Sequence, residues 1–175
     1  MPFKTMILLT FTALTGCAGV NVATYKAERP ELRLEEYFNG TLDAWGMFQK
    51  RDGTVVKRFK VVIDASWTGN RGVLDERFTY SDGTTQRRVW NITRTAEGVY
   101  QGRADDVVGI ANGEVSGNAL RWIYTLELPV GEKIYHVDFD DWMYLQDDGI
   151  LMNRSVMKKF GFRLGEITLF FKKRS

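Results

Sequence analysis

Leu120-Arg121-Trp122-Ile123-Tyr124-Thr125-Leu126-Glu127-Leu128 decides the fold class of this chain. Successive side chains of an extended strand point to opposite faces. Here Leu120, Trp122, Tyr124, Leu126 and Leu128 share one face, while Arg121, Thr125 and Glu127 take the other. A helix would scatter those apolar positions around its circumference; a half-buried strand gathers them. Toward the C-terminus, Gly131-Glu132 marks a turn, and Tyr135, Val137, Phe139, Met143 and Leu145 resume the alternation. Ile167, Leu169 and Phe171 carry it to the end of the chain. Toward the N-terminus, Phe59, Val61, Ile63, Ala65 and Trp67 alternate with Lys60, Asp64 and Ser66.

Turn dipeptides separate these runs: Asp52-Gly53, Asp82-Gly83, Glu97-Gly98, Asn112-Gly113, Gly117-Asn118 and Asp148-Gly149. Such punctuation marks successive hairpins. The pattern predicts an all-β protein, an antiparallel up-and-down barrel of about nine or ten strands, since a long meander removes its edges by closing. A two-sheet sandwich is the alternative. Residues 31–38, with Leu34, Tyr37 and Phe38 on one side, predict a short N-terminal helix capping one mouth. Charges on every strand favour a soluble domain over a transmembrane barrel, whose outward face is an apolar band.

Composition agrees. Of 175 residues, 44% are hydrophobic and 26% charged, which excludes a disordered chain. Basic and acidic residues number 24 and 22 for a net charge of +2, so no electrostatic case for nucleic acid arises. The basic end, Lys172-Lys173-Arg174, reads as a solvated terminus.

The N-terminus has a separate logic. Lys4 precedes an apolar stretch from Thr5 to Leu14, the length of a signal-peptide core and too short to span a bilayer. Leu14-Thr15-Gly16-Cys17 resembles the lipobox of bacterial lipoproteins. That resemblance implies removal of residues 1–16 and lipidation of Cys17, which anchors the chain on a membrane. Ala18, in place of the aspartate associated with inner-membrane retention, implies the periplasmic face of the outer membrane. Cys17 is the only cysteine, so no intrachain disulfide forms. Residues 17–30, without periodicity, are expected to be the lipidated cysteine and a tether, and 31–175 a single barrel domain.

Several strings in the second half are distinctive: Gly102-Arg-Ala-Asp105-Asp-Val-Val-Gly109, Gly117-Asn118-Ala119-Leu120, Asp140-Asp141-Trp142-Met143-Tyr144-Leu145, Asn153-Arg154-Ser155 and Lys159-Phe160-Gly161. With the lipobox, they resemble a family of bacterial lipoproteins known as domain of unknown function 3833. The resemblance implies an envelope lipoprotein with a lipocalin-like (calycin) barrel, and it carries no catalytic residues.

Two carboxylates fall out of pattern. Asp141 shares register with Val137, Phe139, Met143 and Leu145, and Glu76 with Leu74, Phe78 and Tyr80. A buried carboxylate needs a partner. Arg154, with Asn153 nearby, is the expected partner of Asp141, and Arg88 that of Glu76. Such pairs are either structural or the polar pole of a ligand site whose apolar walls include Trp122 and Tyr124. His136, Asp138 and Asp140 share a strand face that could hold a cation, but that face reads as solvent-exposed.

Catalysis finds little support: Gly-x-Ser-x-Gly is absent, no thiol remains after lipidation, and no cofactor fingerprint appears. The expected function is the binding of a hydrophobic ligand, such as a fatty acyl chain or lipid. An assembly partner of an envelope complex and a lipid-modifying enzyme are the alternatives.

Overall fold

The computed structural model describes residues 19–174. The signal peptide and Cys17 lie outside them. Ten strands follow one another: β1 (Gly40–Lys50), β2 (Val55–Thr68), β3 (Arg71–Tyr80), β4 (Thr85–Ala96), β5 (Val99–Arg103), β6 (Ala111–Ser116), β7 (Ala119–Val130), β8 (Lys133–Leu145), β9 (Ile150–Lys159) and β10 (Phe162–Lys173). Each pairs antiparallel with its sequence neighbours, and β1 pairs with β10 from Leu42↔Lys173 to Lys50↔Gly165. The sheet is therefore a closed up-and-down barrel in which every strand is paired on both sides over at least part of its length. The basic end belongs to this closing ladder, and Arg174 is held by Asp43 through hydrogen bonds of 2.7 and 2.8 Å.

All but one of the turns form where the dipeptides placed them, because their side chains satisfy the backbone; Asn112-Gly113 instead lies within β6, paired with Ile123 and Trp122 of β7. Asp52 Oδ1 accepts from Thr54 N at 2.9 Å, and Asp82 Oδ1 from Thr84 N at 3.0 Å. The alternating apolar side chains turn inward: Leu42, Ala44, Val61, Ile63, Leu120 and Leu151 are almost fully buried. Wall glycines make room for the largest of them. A Cβ on Gly113 would lie 2.2 Å from the Trp122 ring, and one on Gly102 2.5 Å from it. Gly113→Ala should therefore displace Trp122 and cost about 1–3 kcal/mol, read from urea denaturation.

One end of the barrel is plugged. The expected helix over 31–38 is a single turn, α1 (Leu34–Tyr37). Arg33 gives it no side-chain cap, and Phe38 leaves helical geometry as the chain turns into β1. One turn suffices to bury Leu34, Tyr37 and Phe38 together with Leu32. The Tyr37 hydroxyl lies 3.0 Å from the carbonyl oxygens of both Gly149 and Phe171 and accepts from Leu151 N at 3.1 Å. Trp67 Nε1 donates to Phe38 O at 3.0 Å, and Tyr100 Oη to Glu35 Oε2 at 2.7 Å.

The stretch expected to be a tether is not loose from Asn21 onward. A 3-10 turn over Val22–Tyr25 buries Val22, and Tyr25 packs edge-on against Trp142 and Tyr144. Leu32 N donates to Gly117 O at 2.8 Å. A Cβ on Gly117 would fall 1.8 Å from Tyr25 O, so only glycine lets the segment seat against this turn.

Candidate functional site

The barrel encloses a cavity of about 620 Å³. Leu34 and Phe38 close it at the plugged end, and it opens at the other among Lys57, Gln86, Glu127 and Pro129. Its walls are apolar and aromatic, drawn from the inward faces of β1–β4 and β7–β10. Trp90 meets Trp122 and Tyr124 edge-on at 5.6 and 5.4 Å between ring centres, and Tyr124 stacks on Phe139 at 5.1 Å.

At mid-height the apolar lining is interrupted. Strands β5 and β6 are half the length of their neighbours, and the loop joining them, residues 104–110, fills the gap in the wall. Val107 bridges Leu126, and Glu127 N donates to Asp106 O at 2.9 Å. That docking brings the Asp106 side chain to the cavity. Arg88 meets it there, with Nε 3.0 Å from both carboxylate oxygens and Nη2 2.7 Å from Oδ2. Burial pulls the Arg88 pKa down, but the Asp106 hydrogen bonds and the charge of Glu76 outweigh it and hold the guanidinium above its ordinary value. Its plane also lies over the Phe78 ring, 5.6 Å from the centre.

Glu76 and Arg88 are direct partners across the β3–β4 ladder. Burial pushes the Glu76 carboxyl up to about 7; Arg88 pulls it down, and Asp106 and Asp141 push it further up. The surface it keeps faces the cavity rather than bulk water. Asp141 is raised to about 6, by burial first, against the opposing pull of Ser155, Tyr124, Asn153 and Arg88. Tyr124 Oη donates to Asp141 Oδ2 at 3.2 Å. Asp141 Oδ1, Asn153 Oδ1 and Ser155 Oγ are buried without a hydrogen-bond partner. Burial, and then the charge of Asp141, drive the Tyr124 hydroxyl well above its ordinary pKa.

The structure thus places Glu76, Arg88, Trp122, Tyr124 and Asp141 on the lining of one cavity. Arg154 is a correction. The β8–β9 register pairs Asp141 with Ser155 and Trp142 with Arg154, so Arg154 points outward. It is 66% exposed and donates to Glu166 Oε1 at 2.6 Å. Arg154→Ala should change stability by no more than about 1 kcal/mol, measured by thermal melts. Asp106 and Ser155 were not among the expected site residues. Asp106 sits in a loop, where alternation carries no signal, and Ser155 is silent in a hydropathy pattern.

His136, Asp138 and Asp140 lie on the outer face, each with its own partner. His136 Nε2 is 3.4 Å from Glu127 Oε1, Asp138 accepts from Thr125 Oγ1 at 2.8 Å, and Arg121 grips Asp140 at 2.8 Å. A second concavity, of about 740 Å³, lies on the outer wall beside residues 19–22. Its Arg121–Asp140 and Arg154–Glu166 pairs satisfy one another, so it lacks the unmet groups of the interior.

Among known proteins, the model of a family described as a protein of unknown function (DUF3833) matches residues 11–173. No curated protein matches the chain.

Proposed function

The chain belongs to the DUF3833 family, and from the interior of its barrel we propose that it is a lipid-anchored envelope protein that binds a hydrophobic ligand, an acyl chain or lipid. The observation that carries this reading is the cavity: about 620 Å³ of largely apolar space with a few polar groups at one level. Small-molecule sites range over roughly 300–1,000 Å³ and have this composition. Each methylene withdrawn from water into such walls contributes about 0.8 kcal/mol, so chain length drives affinity and the polar level fixes orientation.

The lipobox supports the location. A lipidated Cys17 would hold the barrel beside a supply of acyl chains, on the periplasmic face of the outer membrane. The outer wall supports a barrel standing in water. Pairs such as Arg77–Asp64, Arg87–Asp75 and Arg121–Asp140 occupy the faces where a membrane barrel carries its apolar band. One observation favours a second reading, a lipid-modifying enzyme: Glu76, raised to about 7 inside a cavity, has the acidity of a general acid or base. Turnover of the bound lipid distinguishes the two.

Filling the cavity tests the proposal. Leu169 and Met143 both line it and are only partly buried. Leu169→Trp and, separately, Met143→Trp should each weaken uptake of a fluorescent acyl probe more than tenfold, with unchanged far-ultraviolet circular dichroism. Uptake unaffected by either variant would place the probe elsewhere and defeat the proposal.

A further inference from the structure

Three buried polar atoms at the cavity make no hydrogen bond, and two of them, the Asp141 and Asn153 oxygens, can only accept. Asp141 Oδ1, Asn153 Oδ1 and Ser155 Oγ have no partner, in residues 7, 3 and 2% exposed. The groups around Glu76 reach it by charge alone. Arg88 gives its Nε and Nη2 to Asp106 and reaches Glu76 and Asp141 by charge alone. The other cation on the lining, Lys57, sits at the mouth and is held by Asp82 at 2.9 Å. Once Arg88 and Asp106 cancel, Glu76 and Asp141 are left facing the same space.

We infer that the amphiphile taken into this barrel has a hydrogen-bond-donating headgroup without negative charge, a long-chain amine foremost, and is not a fatty-acid carboxylate. The inference rests on the ligand-binding reading above. An ammonium group set between Glu76 and Asp141 would turn two mutually repelling carboxyls into acceptors of charge-assisted hydrogen bonds. A hydroxyl headgroup would satisfy the same atoms without the charge. A carboxylate would add a further anion to a buried group already in excess of them, which is costly.

The pH dependence has a definite sign. The ionisable groups lining the cavity are Glu76 and Tyr80 from β3, Arg88 from β4, Asp106 from the β5–β6 loop, Tyr124 from β7 and Asp141 from β8, with Lys57 of β2 and Glu127 of β7 at the mouth. Strand β9 contributes the neutral Asn153 and Ser155, β1 and β10 contribute apolar side chains, and β2 contributes apolar side chains with Lys57 at the mouth. Raising the pH from 5.5 to 8 ionises Glu76 and Asp141, which strengthens an amine and weakens a carboxylate.

The test is displacement of an uncharged fluorescent acyl probe from residues 18–175 by dodecylamine, monolauroylglycerol and laurate, at both pH values. At pH 8 dodecylamine should bind at least tenfold more tightly than laurate, with the glyceride between them. The double variant Glu76→Gln/Asp141→Asn, its fold checked by circular dichroism, should erase that preference. Laurate binding as tightly as the amine, or a preference that survives the double variant, overturns the inference and leaves the cavity reading intact. A protein that binds neither the probe nor any of the three overturns both.

A second inference stands on the open rim and needs no cavity. Phe160 is 86% and Phe162 73% exposed, at the tip of the β9–β10 hairpin. Phe160 adopts φ 50°, a left-handed conformation that a bulky side chain rarely takes. Val130 and Ile134 of the β7–β8 hairpin and Val55 of the β1–β2 hairpin are exposed at the same end. The same turns carry Lys50, Arg51, Lys133, Lys158 and Lys159, against Asp52 and Glu132. Lys159 Nζ lies 4.9 Å from the centre of the Phe160 ring.

Aromatic tips among cations suit an anionic bilayer surface, and we propose that the open rim docks on one. Residues 18–175, lacking the anchor, should co-sediment with phosphatidylglycerol-containing vesicles and not with phosphatidylcholine vesicles. Phe160→Ser/Phe162→Ser should reduce that binding at least tenfold, as should high salt. Absence of binding, equal binding to both vesicles, or self-association abolished by the same variant would overturn the proposal, the last by making the occupant a second copy.

Discussion

Glu76→Gln is expected to stabilise the barrel at pH 8 by up to about 3 kcal/mol and to leave it unchanged at pH 4. Burial raises the folded-state pKa of Glu76 from 4.5 to about 7, so the folded chain holds a proton that the unfolded chain has released. A carboxyl raised in this way gives its full contribution below pH 4.5. That contribution is withdrawn as the pH rises through 7, because ionisation must then occur inside the barrel. Glutamine has the shape of the protonated acid and never ionises, so it escapes the loss. Water reaching the cavity from the open end screens the charge and trims the effect. Urea denaturation of both proteins between pH 4 and 8 gives the answer directly. The two stability curves should separate only above pH 5, and parallel curves would show that Glu76 ionises without penalty.

Arg88→Met is expected to act in the opposite direction, costing about 3–5 kcal/mol at pH 7.5. The substitution keeps much of the side chain's bulk but strips Asp106 of its three N–H···O contacts. It leaves Glu76 and Asp141 facing a third, uncompensated carboxylate in the same interior. Part of the loss should return at pH 5, where Glu76 and Asp141 take up protons and the repulsion falls. The same denaturation series measures it. A cost below about 1 kcal/mol, independent of pH, would mean that the pair is screened as surface pairs are.

The barrel walls were legible because alternation is a local property. The run from Leu120 to Leu128 declares its inner face without reference to any neighbour, and the structure buries that face. Glu76 and Asp141 were legible for the same reason, as charges at positions their own strands turn inward. Arg154 was misplaced because its relation to Asp141 depends on the β8–β9 register, and a shift of one residue exchanges inside for outside. Asp106 depends on more distant causes: the shortness of β5 and β6 and the inward docking of their loop. The seating of residues 21–30 likewise depends on Gly117, nearly a hundred positions away, where close approach leaves no trace in periodicity.

The most direct measurement is native mass spectrometry of residues 18–175 purified from the periplasm, followed by solvent extraction and identification of what is released. One amphiphile per chain is predicted, absent from Leu169→Trp prepared in the same way, with a headgroup that carries no negative charge. A chain that emerges empty and takes up no added acyl probe would contradict the binding function at its root.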